Sequence, residues 1–148
     1  MKITIEEIKD LDDTDITIRC KHITPELLDF INDLTCHNQK IVGVYEQESF
    51  LIDPDKIYYI ESVDDRVFAY TKDQVYTLQL KLYELEERLS TRYFFRISKS
   101  TILNISYIHS LKSLFNGKMQ VTLKSGEHLI ITRSYVGTFK EKLGVNKK

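Results

Sequence analysis

Short alternations of apolar and polar residues dominate the chain from residue 41 onward, and they predict strands rather than long helices. The candidate strands are 41–45, 49–52, 56–62, 67–71, 75–78, 93–95, 102–103, 107–115, 119–124 and 129–132. The pairs Asn116-Gly117 and Ser125-Gly126 separate the last three and predict hairpins. Segment 56–62 is dense enough in apolar residues to be buried on both faces of a sheet.

Two segments in this part of the chain have helical spacing instead. Leucines recur every three or four residues over 78–89 with charged residues between them, which predicts a surface helix over 79–90. Ser134 is placed to cap a last helix that carries Lys140 and Lys142 in its later turns. About eight to ten strands with two helices predict a mostly β domain with peripheral helices, and exclude a βαβ enzyme fold.

Residues 1–40 have a different pattern, which predicts a small α+β module. Imperfect alternation over 1–8 and clean alternation over 16–20 predict two strands. Thr24-Pro25-Glu26 provides an N-cap, a proline at the first helical position and an acid in the first turn, so we expect a helix over 25–36. A strand–strand–helix unit of this size cannot bury much core by itself. We expect it either to form a homodimer or to dock on the rest of the chain.

Composition places the 148 residues among cytoplasmic proteins. No apolar run approaches the length of about eighteen residues that a membrane span needs, and the N-terminus is too acidic for a secretory signal. Cys20 and Cys36, the two cysteines, have His22 and His37 nearby, but intervals of one residue and none do not match zinc-ligand spacing. Two ordinary thiols are the simpler interpretation, and we expect no metal.

Catalytic chemistry has little support in the sequence. The five glycines are scattered, so no phosphate-binding glycine-rich loop is present. The four histidines stand apart from one another, and Glu127-His128 at a hairpin edge is typical of a solvated strand start. We therefore expect no enzyme activity, no cofactor and no small-molecule substrate.

Charge is nearly balanced over the whole chain, at −1, but it is distributed unevenly. Residues 1–40 hold nine acids and five bases, and residues 41–91 hold eleven acids and five bases. Residues 92–148 hold two acids and eleven bases, a net charge of +9. This asymmetry predicts a face that binds a polyanion on the last third of the chain.

Within that basic third, one polar cluster stands between two apolar runs. Ser98-Lys99-Ser100 lies between 93–95 and 102–103, and Lys99 must face outward because an unpaired buried lysine is very costly. One cation and two hydroxyls suit a phosphate or a base edge. An ordinary surface turn is the alternative interpretation of the same residues.

The same stretch carries a resemblance to a known family. The string Phe94-x-Arg96-Ile97-Ser98-Lys99-Ser100-x-Ile102-x-Asn104 resembles the central motif of the LytTR family of bacterial DNA-binding domains. Segments 57–62 and 129–135 are similar to the family's first core strands and to its last strand with the start of its final helix. The resemblance covers roughly residues 41–145 and implies an elongated, antiparallel multi-sheet β domain over 41–148, preceded by the module over 1–40.

The family inserts loops rather than a recognition helix into the major groove, and the resemblance implies which residues of this chain do so. Lys99 is the candidate for a base edge, and Arg133 for a guanine. The other implied DNA-binding residues are Arg66, Ser98, Ser100, Lys124 and Ser134. Two acids beside Arg66 would repel phosphates, which makes that contact the least secure, and Asn104 is expected to tie the backbone after the motif.

These inferences together predict a sequence-specific transcription regulator that binds double-stranded DNA, at paired or repeated sites because a few loop contacts give limited specificity. No segment resembles a phosphorylatable receiver domain. The resemblance also implies a membrane protein as inhibitory partner. The alternative is a protein-interaction adaptor that keeps the fold without binding DNA.

Overall fold

The computed structural model describes residues 1–36, 40–89 and 93–144. Within these ranges the helices are α1 (Pro25–Cys36), α2 (Leu82–Arg88) and α3 (Arg133–Leu143). The strands in the same ranges are β1 (Ile41–Tyr45), β2 (Glu48–Ile52), β3 (Tyr59–Val63), β4 (Arg66–Tyr70), β5 (Val75–Leu78), β6 (Phe94–Ser98), β7 (Thr101–Asn104), β8 (Ile108–Ser113), β9 (Met119–Leu123) and β10 (His128–Ile131). His37, Arg92, the predicted end of the second helix at residue 90 and the last four residues lie outside the described residues.

The strands form two antiparallel sheets, which confirms the predicted mostly β fold. A seven-stranded sheet has the order β2-β1-β5-β4-β3-β7-β6, and a three-stranded sheet has the order β10-β9-β8. Gly117 and Gly126 adopt φ values of 83° and 97° in the hairpins on either side of β9. Those are left-handed conformations that glycine adopts without steric cost, and both predicted hairpins are confirmed.

The seven-stranded sheet is buried on both faces where β3 and β7 pair. Ile60 and Ile102 point to one face and pack with the leucines of α2, whereas Tyr59 and Leu103 point to the other. The second face is covered by the three-stranded sheet and by Phe139 of α3, which is fully buried. Alternate side chains point to opposite faces of a strand, so the dense apolar segment around β3 supplies two cores at once.

Helices α2 and α3 begin at residues other than those predicted, whereas α1 has its predicted bounds. Leu82, Leu85 and Leu89 are buried as the leucine spacing predicts, but Leu78 ends β5 and the helix begins only at Leu82. α3 begins at Arg133 with Thr132 as its N-cap, so the prediction that Ser134 is the cap was wrong. No helix in the described part of the chain has both the length and the apolar character needed to cross a membrane.

The two predicted N-terminal strands were wrong. Residues 1–24, all of which the structure describes, contain neither strand nor helix, and every one of them is exposed. α1 is present over Pro25–Cys36, and the Thr24 hydroxyl oxygen accepts a hydrogen bond from the Leu27 N–H at 3.1 Å as an N-cap should. Alternation describes which side chains a strand would bury, but a strand forms only when a neighbour pairs with its backbone. The boundary between residues 40 and 41 stays a prediction.

Candidate nucleic-acid interface

The turn between β6 and β7 presents its polar residues outward, as the flanking apolar runs predict. Ile97 and Ile102 on either side of it are 0% and 1% exposed, whereas Lys99 is exposed and the two serines are partly so. Within the described part of the chain the Lys99 ammonium has no ion-pair partner. The buried flanks therefore fix the ends of a turn whose tip carries an available cation.

The serines of this turn bond to each other and to the turn itself. The Ser98 hydroxyl oxygen accepts the Ser100 backbone N–H at 3.2 Å, and the two hydroxyl oxygens lie 3.4 Å apart. Such contacts shape a tight turn in the way that short polar side chains commonly do. Each hydroxyl can still present an atom to a ligand while it holds the turn.

Arg96 also holds this turn, and the sequence-based reasoning did not assign it a role. Its Nε donates to the Ser98 carbonyl at 2.8 Å, and its Nη2 donates to the Lys99 carbonyl. Its Nη1 lies 2.5 Å from Glu86 Oε1 on α2. No side-chain pattern in the sequence marks this role, because both acceptors in the turn are backbone carbonyls.

A bulge in β6 connects the same turn to the start of α3. The pairing of β6 with β7 shifts register between Arg96 and Ser98. The carbonyl of Ile97, inside that bulge, accepts the Thr132 N–H at 3.0 Å. A bulged residue turns its backbone out of the ladder. Here it ties the last strand–helix junction directly to the base of the Lys99 turn.

A cleft of about 600 Å³ lies between this turn and the three-stranded sheet. Ser98, Lys99 and Ser100 line one side of it, and Ser134 in the first turn of α3 lines the other. His128 also lines the cleft, and its Nδ1 is 3.0 Å from the Thr122 hydroxyl oxygen. The structure thus brings four of the predicted site residues to one concave surface and adds a histidine that the sequence-based reasoning treated as merely solvated.

Arg133 lies next to this cleft, with its stem packed against the turn between β8 and β9. A Cβ built on Gly117 would lie 2.8 Å from Arg133 Cδ and 3.0 Å from Arg133 Cγ. Only a residue without a side chain leaves room there, so the asparagine–glycine turn is also the surface on which Arg133 rests. Arg133 is exposed, and within the described residues its guanidinium has no ion-pair partner.

Arg66 is brought to the same end of the seven-stranded sheet as Lys99. Arg66 pairs with Val63 across a two-residue turn, Asp64-Asp65. The Ser62 N–H, one residue before Val63, donates to the Ser100 carbonyl at 2.8 Å. The turns after β3 and before β7 are therefore neighbours. The two carboxylates that the sequence placed beside Arg66 stand at this end of the sheet as well.

Lys124 is not brought together with the others. It lies in the hairpin between β9 and β10, at the end of both strands away from Arg133. Its backbone N–H donates to the Tyr107 carbonyl at 2.8 Å, and Tyr107 follows the end of β7 that is opposite the Lys99 turn. This placement disfavours a contact of Lys124 and Lys99 with the same short stretch of duplex.

Among the described residues, the titratable groups with altered pKa values are the tyrosines Tyr59, Tyr70 and Tyr107. Burial, and then the hydrogen bond that Tyr59 donates to Glu127 Oε2 at 3.0 Å, raise the pKa of Tyr59 well above its usual range. Burial and the nearby Glu61 raise the pKa of Tyr70, whose ring stacks on that of Tyr59 at 4.3 Å. The Tyr59 phenol connects the two sheets through its hydrogen bond to Glu127, whereas the Tyr70 phenol donates to Glu61 within the seven-stranded sheet. They offer no charge to a ligand.

The chain is similar to known proteins of one family. A family model described as the LytTr DNA-binding domain matches residues 47–144. An uncharacterized HTH-type transcriptional regulator of Staphylococcus aureus is 33% identical over 119 residues, which is 80% of each chain. The sensory transduction protein LytT of Enterococcus faecalis is 33% identical over 101 residues, 68% of this chain and 42% of that protein.

A solved LytTr DNA-binding domain from Bacillus cereus has the same fold. It superposes with a TM-score of 0.70 over 72% of this chain and 98% of its own, at 20% sequence identity. In the described residues α1, α2 and α3 are separated from one another by strands, so no two of them form a helix-turn-helix unit. With the family model covering two-thirds of its length, this chain belongs to the LytTR family.

Proposed function

We propose that the protein is a transcription regulator that binds double-stranded DNA in a sequence-specific way through its loops. One observation supports this most: Lys99 and Ser134 line the same cleft, and Arg133 stands beside it. A duplex that meets this surface would contact the turn between β6 and β7 and the start of α3, both of which lie in the part of the chain with a net charge of +9.

Each site residue has a distinct task in this proposal. Lys99 donates to guanine O6 or N7 in the major groove, and Arg133 reads a second guanine with its planar fork. The Ser98 and Ser100 hydroxyls donate to phosphates and set the register. The Ser134 hydroxyl and the N–H groups at the start of α3 donate to a further phosphate, because the positive end of an eleven-residue helix favours an anion.

Two of the predicted residues have smaller roles. Arg66 stands at the same end of the sheet, but Asp64 and Asp65 lower the attraction of that turn for phosphates. Lys124, at the far hairpin, would only neutralise a phosphate beyond the cleft.

A homodimer on paired sites extends the proposal to residues 1–36. Apolar side chains there are exposed, among them Ile5 at 86% and Ile23 at 71%. Pairing of two such segments would bury them and give one complex two DNA-binding surfaces in the cytoplasm. Two half-sites would supply the specificity that one set of loops lacks.

Selection of bound sequences from a random duplex library, followed by fluorescence anisotropy on the enriched site, tests the proposal. We expect enrichment of a repeated motif, and a loss of about 1–3 kcal/mol of discrimination for each of Lys99→Ala and Arg133→Ala. Lys72→Ala is the matched control, because Lys72 is exposed in the turn between β4 and β5 at the opposite end of the sheet.

Salt dependence gives a second, independent measurement. Affinity should fall steeply as salt rises, since each neutralised phosphate releases counterions. A library without enrichment, together with affinity that is insensitive to salt, would contradict the proposal.

The adaptor remains the second candidate, and the acidic Asp64-Asp65 turn favours it. Carboxylates at the same end of the sheet as Lys99 suit a basic protein partner better than a phosphate backbone. The adaptor function is supported if no sequence is enriched from the library and a basic protein co-purifies with this chain. The double substitution Asp64→Asn with Asp65→Asn should then release that protein.

A further inference from the structure

We propose that Arg96 is a positioning residue, which holds the Ser98–Ser100 turn in the shape that reads DNA and is itself anchored by Glu86 of α2. This inference rests on the proposed function. It assigns a role to a cation that lies within the basic third of the chain and yet does not face the duplex.

The guanidinium of Arg96 binds the turn by its backbone. Nε donates to the carbonyl of Ser98 at 2.8 Å, and Nη2 donates to the carbonyl of Lys99. Two donors of one planar group thus hold two successive peptide units. Because arginine presents its N–H groups in a fixed fork, both carbonyls are oriented together, which a lysine ammonium cannot do.

The third side of the guanidinium is occupied by Glu86. Nη1 lies 2.5 Å from Glu86 Oε1, and the Arg96 side chain is only 20% exposed. α2 is held against the sheet by Leu82, Leu85 and Leu89, all of them buried. The carboxylate therefore stands on a fixed support, and it limits the directions in which Arg96 can point.

This arrangement leaves Arg96 little to offer a phosphate. Three of its nitrogens have protein partners, and its charge is opposed by the carboxylate of Glu86. Lys99 differs, because its ammonium has no ion-pair partner in the described residues although its own carbonyl is held. A fixed backbone with an available side chain is what a reading residue needs, since ordering a loose loop upon binding costs affinity.

Positioning and direct contact predict different responses to mutation. Loss of a positioning residue weakens binding to the specific site and leaves non-specific binding and its salt dependence unchanged. Loss of a phosphate contact weakens binding to every sequence and lowers the salt slope by about one. Exchange of the turn's amide hydrogens in the protein without DNA reports on the turn directly, whether or not DNA binds.

The experiment compares Arg96→Ala, Arg96→Lys and Glu86→Gln with the unchanged protein. Glu87→Gln is the matched control, since Glu87 is an exposed acid on the same helix. Affinity is measured on the enriched duplex and on a scrambled one at several salt concentrations, and hydrogen exchange is followed at residues 98–101 without DNA.

For Arg96→Ala we expect faster exchange at residues 98–101 and about a tenfold loss on the enriched duplex, with the scrambled duplex and the salt slope unaffected. Arg96→Lys should not restore binding, because it retains the charge and loses the fork. Glu86→Gln should lie between Arg96→Ala and the unchanged protein, and Glu87→Gln should have no effect.

A fall in the salt slope of Arg96→Ala, restored by Arg96→Lys, would overturn the proposal by making Arg96 a phosphate contact. Unchanged exchange in both Arg96→Ala and Glu86→Gln would overturn it as well. If Arg96→Ala does not fold, Glu86→Gln decides the question. A lack of specific binding by the unchanged protein would overturn the proposed function, and the exchange rates would still decide whether Arg96 holds the turn.

Discussion

Two turns stand side by side at one end of the seven-stranded sheet, and they are built in opposite ways. The turn between β6 and β7 carries Lys99, and its backbone is held by the side chain of Arg96. The turn between β3 and β4 carries Asp64 and Asp65, with φ values of 51° and 64°. The hydrogen bond from Ser62 to Ser100 makes the two turns neighbours. One is cationic and is held by an arginine side chain, whereas the other is acidic and has positive φ values at two aspartates.

The difference shows that a cation needs two separate things to contact DNA, namely the right position on the surface and neighbouring groups that do not oppose its charge. Arg66 follows the acidic turn and is exposed, as Lys99 is, and both stand at the same end of the sheet. Their surroundings are not alike, because Asp64 and Asp65 adjoin Arg66 whereas serine hydroxyls adjoin Lys99. A cation beside two carboxylates attracts a polyanion less than an isolated one does.

The largest effect should come from a substitution at Asn104, whose side chain connects β7 to the segment before β3. Asn104, at the end of β7, is 1% exposed; its Nδ2 donates to the Ile57 carbonyl at 2.9 Å and its Oδ1 accepts from the Ser106 N–H at 3.0 Å. Asn104→Ala removes both of these bonds, as well as the one from the Ser106 hydroxyl, and takes a donor away from the carbonyl of the buried Ile57. We expect the free energy of unfolding, measured in urea, to fall by about 3 kcal/mol.

Ser106→Ala is the control for that measurement. It removes the 2.7 Å bond between the Ser106 hydroxyl and Asn104 Oδ1 and leaves the amide's other two bonds in place. Its effect should be about 1 kcal/mol. An equal loss in both variants would mean that the amide does not join β7 to the segment before β3.

The next largest effect should separate the two turns. Lys99→Ala should weaken binding to the enriched duplex by about 5- to 100-fold, whereas Arg66→Ala should weaken it by no more than about threefold. Anisotropy titrations of both variants at one salt concentration give the ratio. A larger effect at Arg66 would place the reading contact on the acidic turn and reverse the proposed assignment.

Removing the acids should make the two turns more alike. Asp64→Asn with Asp65→Asn keeps side chains that tolerate positive φ and removes two negative charges. We expect affinity for DNA to rise by about two- to fivefold at low salt, and the gain to shrink as salt screens the interaction. An unchanged affinity at low salt would show that this turn stays away from the duplex.

The last prediction concerns stability at alkaline pH and the other end of β3, where Tyr59 lies. The pKa of Tyr59 is raised by burial and by Glu127, so above about pH 10 the unfolded chain releases this proton while the folded protein keeps it. The stability that the neutral phenol provides is complete below that pH and is lost as pH rises. Between pH 9 and pH 11 the unchanged protein should lose about 1 kcal/mol more than Tyr59→Phe in urea unfolding.

Tyr83→Phe is the matched control for the alkaline measurement, because Tyr83 is 61% exposed on α2. It should lose as much stability as the unchanged protein does over the same range. If Tyr59→Phe also loses that much, the phenol at Tyr59 ionises as readily in the folded state as in the unfolded one.

Much of the β domain was predictable, because its patterns are local. Alternation located the strands, the Asn116-Gly117 pair located a hairpin, and the leucine spacing located α2 to within a few residues. The backbone conformation of the Asp64-Asp65 turn was not predictable from local pattern in this way. Positive φ values favour glycine or asparagine, and here the pairing of β3 with β4 imposes them on two aspartates.

The two predicted N-terminal strands were wrong because strands, unlike helix α1, depend on pairing with a distant segment. Alternation over 16–20 is as clean as in several real strands, yet residues 1–24 form none. Strand formation depends on hydrogen bonds to a second segment, and a sequence pattern contains no information about whether that segment is near. Ile16 and Ile18 are exposed at 65% and 38% in consequence.

The sequence by itself determined where the strands of the β domain lie, where the basic charge is concentrated, that Lys99 must face outward, and which family the chain resembles. Tertiary structure alone decided that Lys99 and Ser134 line one cleft and that Arg66 stands at the same end of the sheet as Lys99. It also decided that Lys124 lies in another hairpin and that Arg96 binds the backbone of the turn. The reason is the separation along the chain over which each kind of interaction acts. Periodicity and turn preference act between residues a few positions apart, whereas a binding surface is assembled by strand pairing and sheet packing between residues that are distant in the chain.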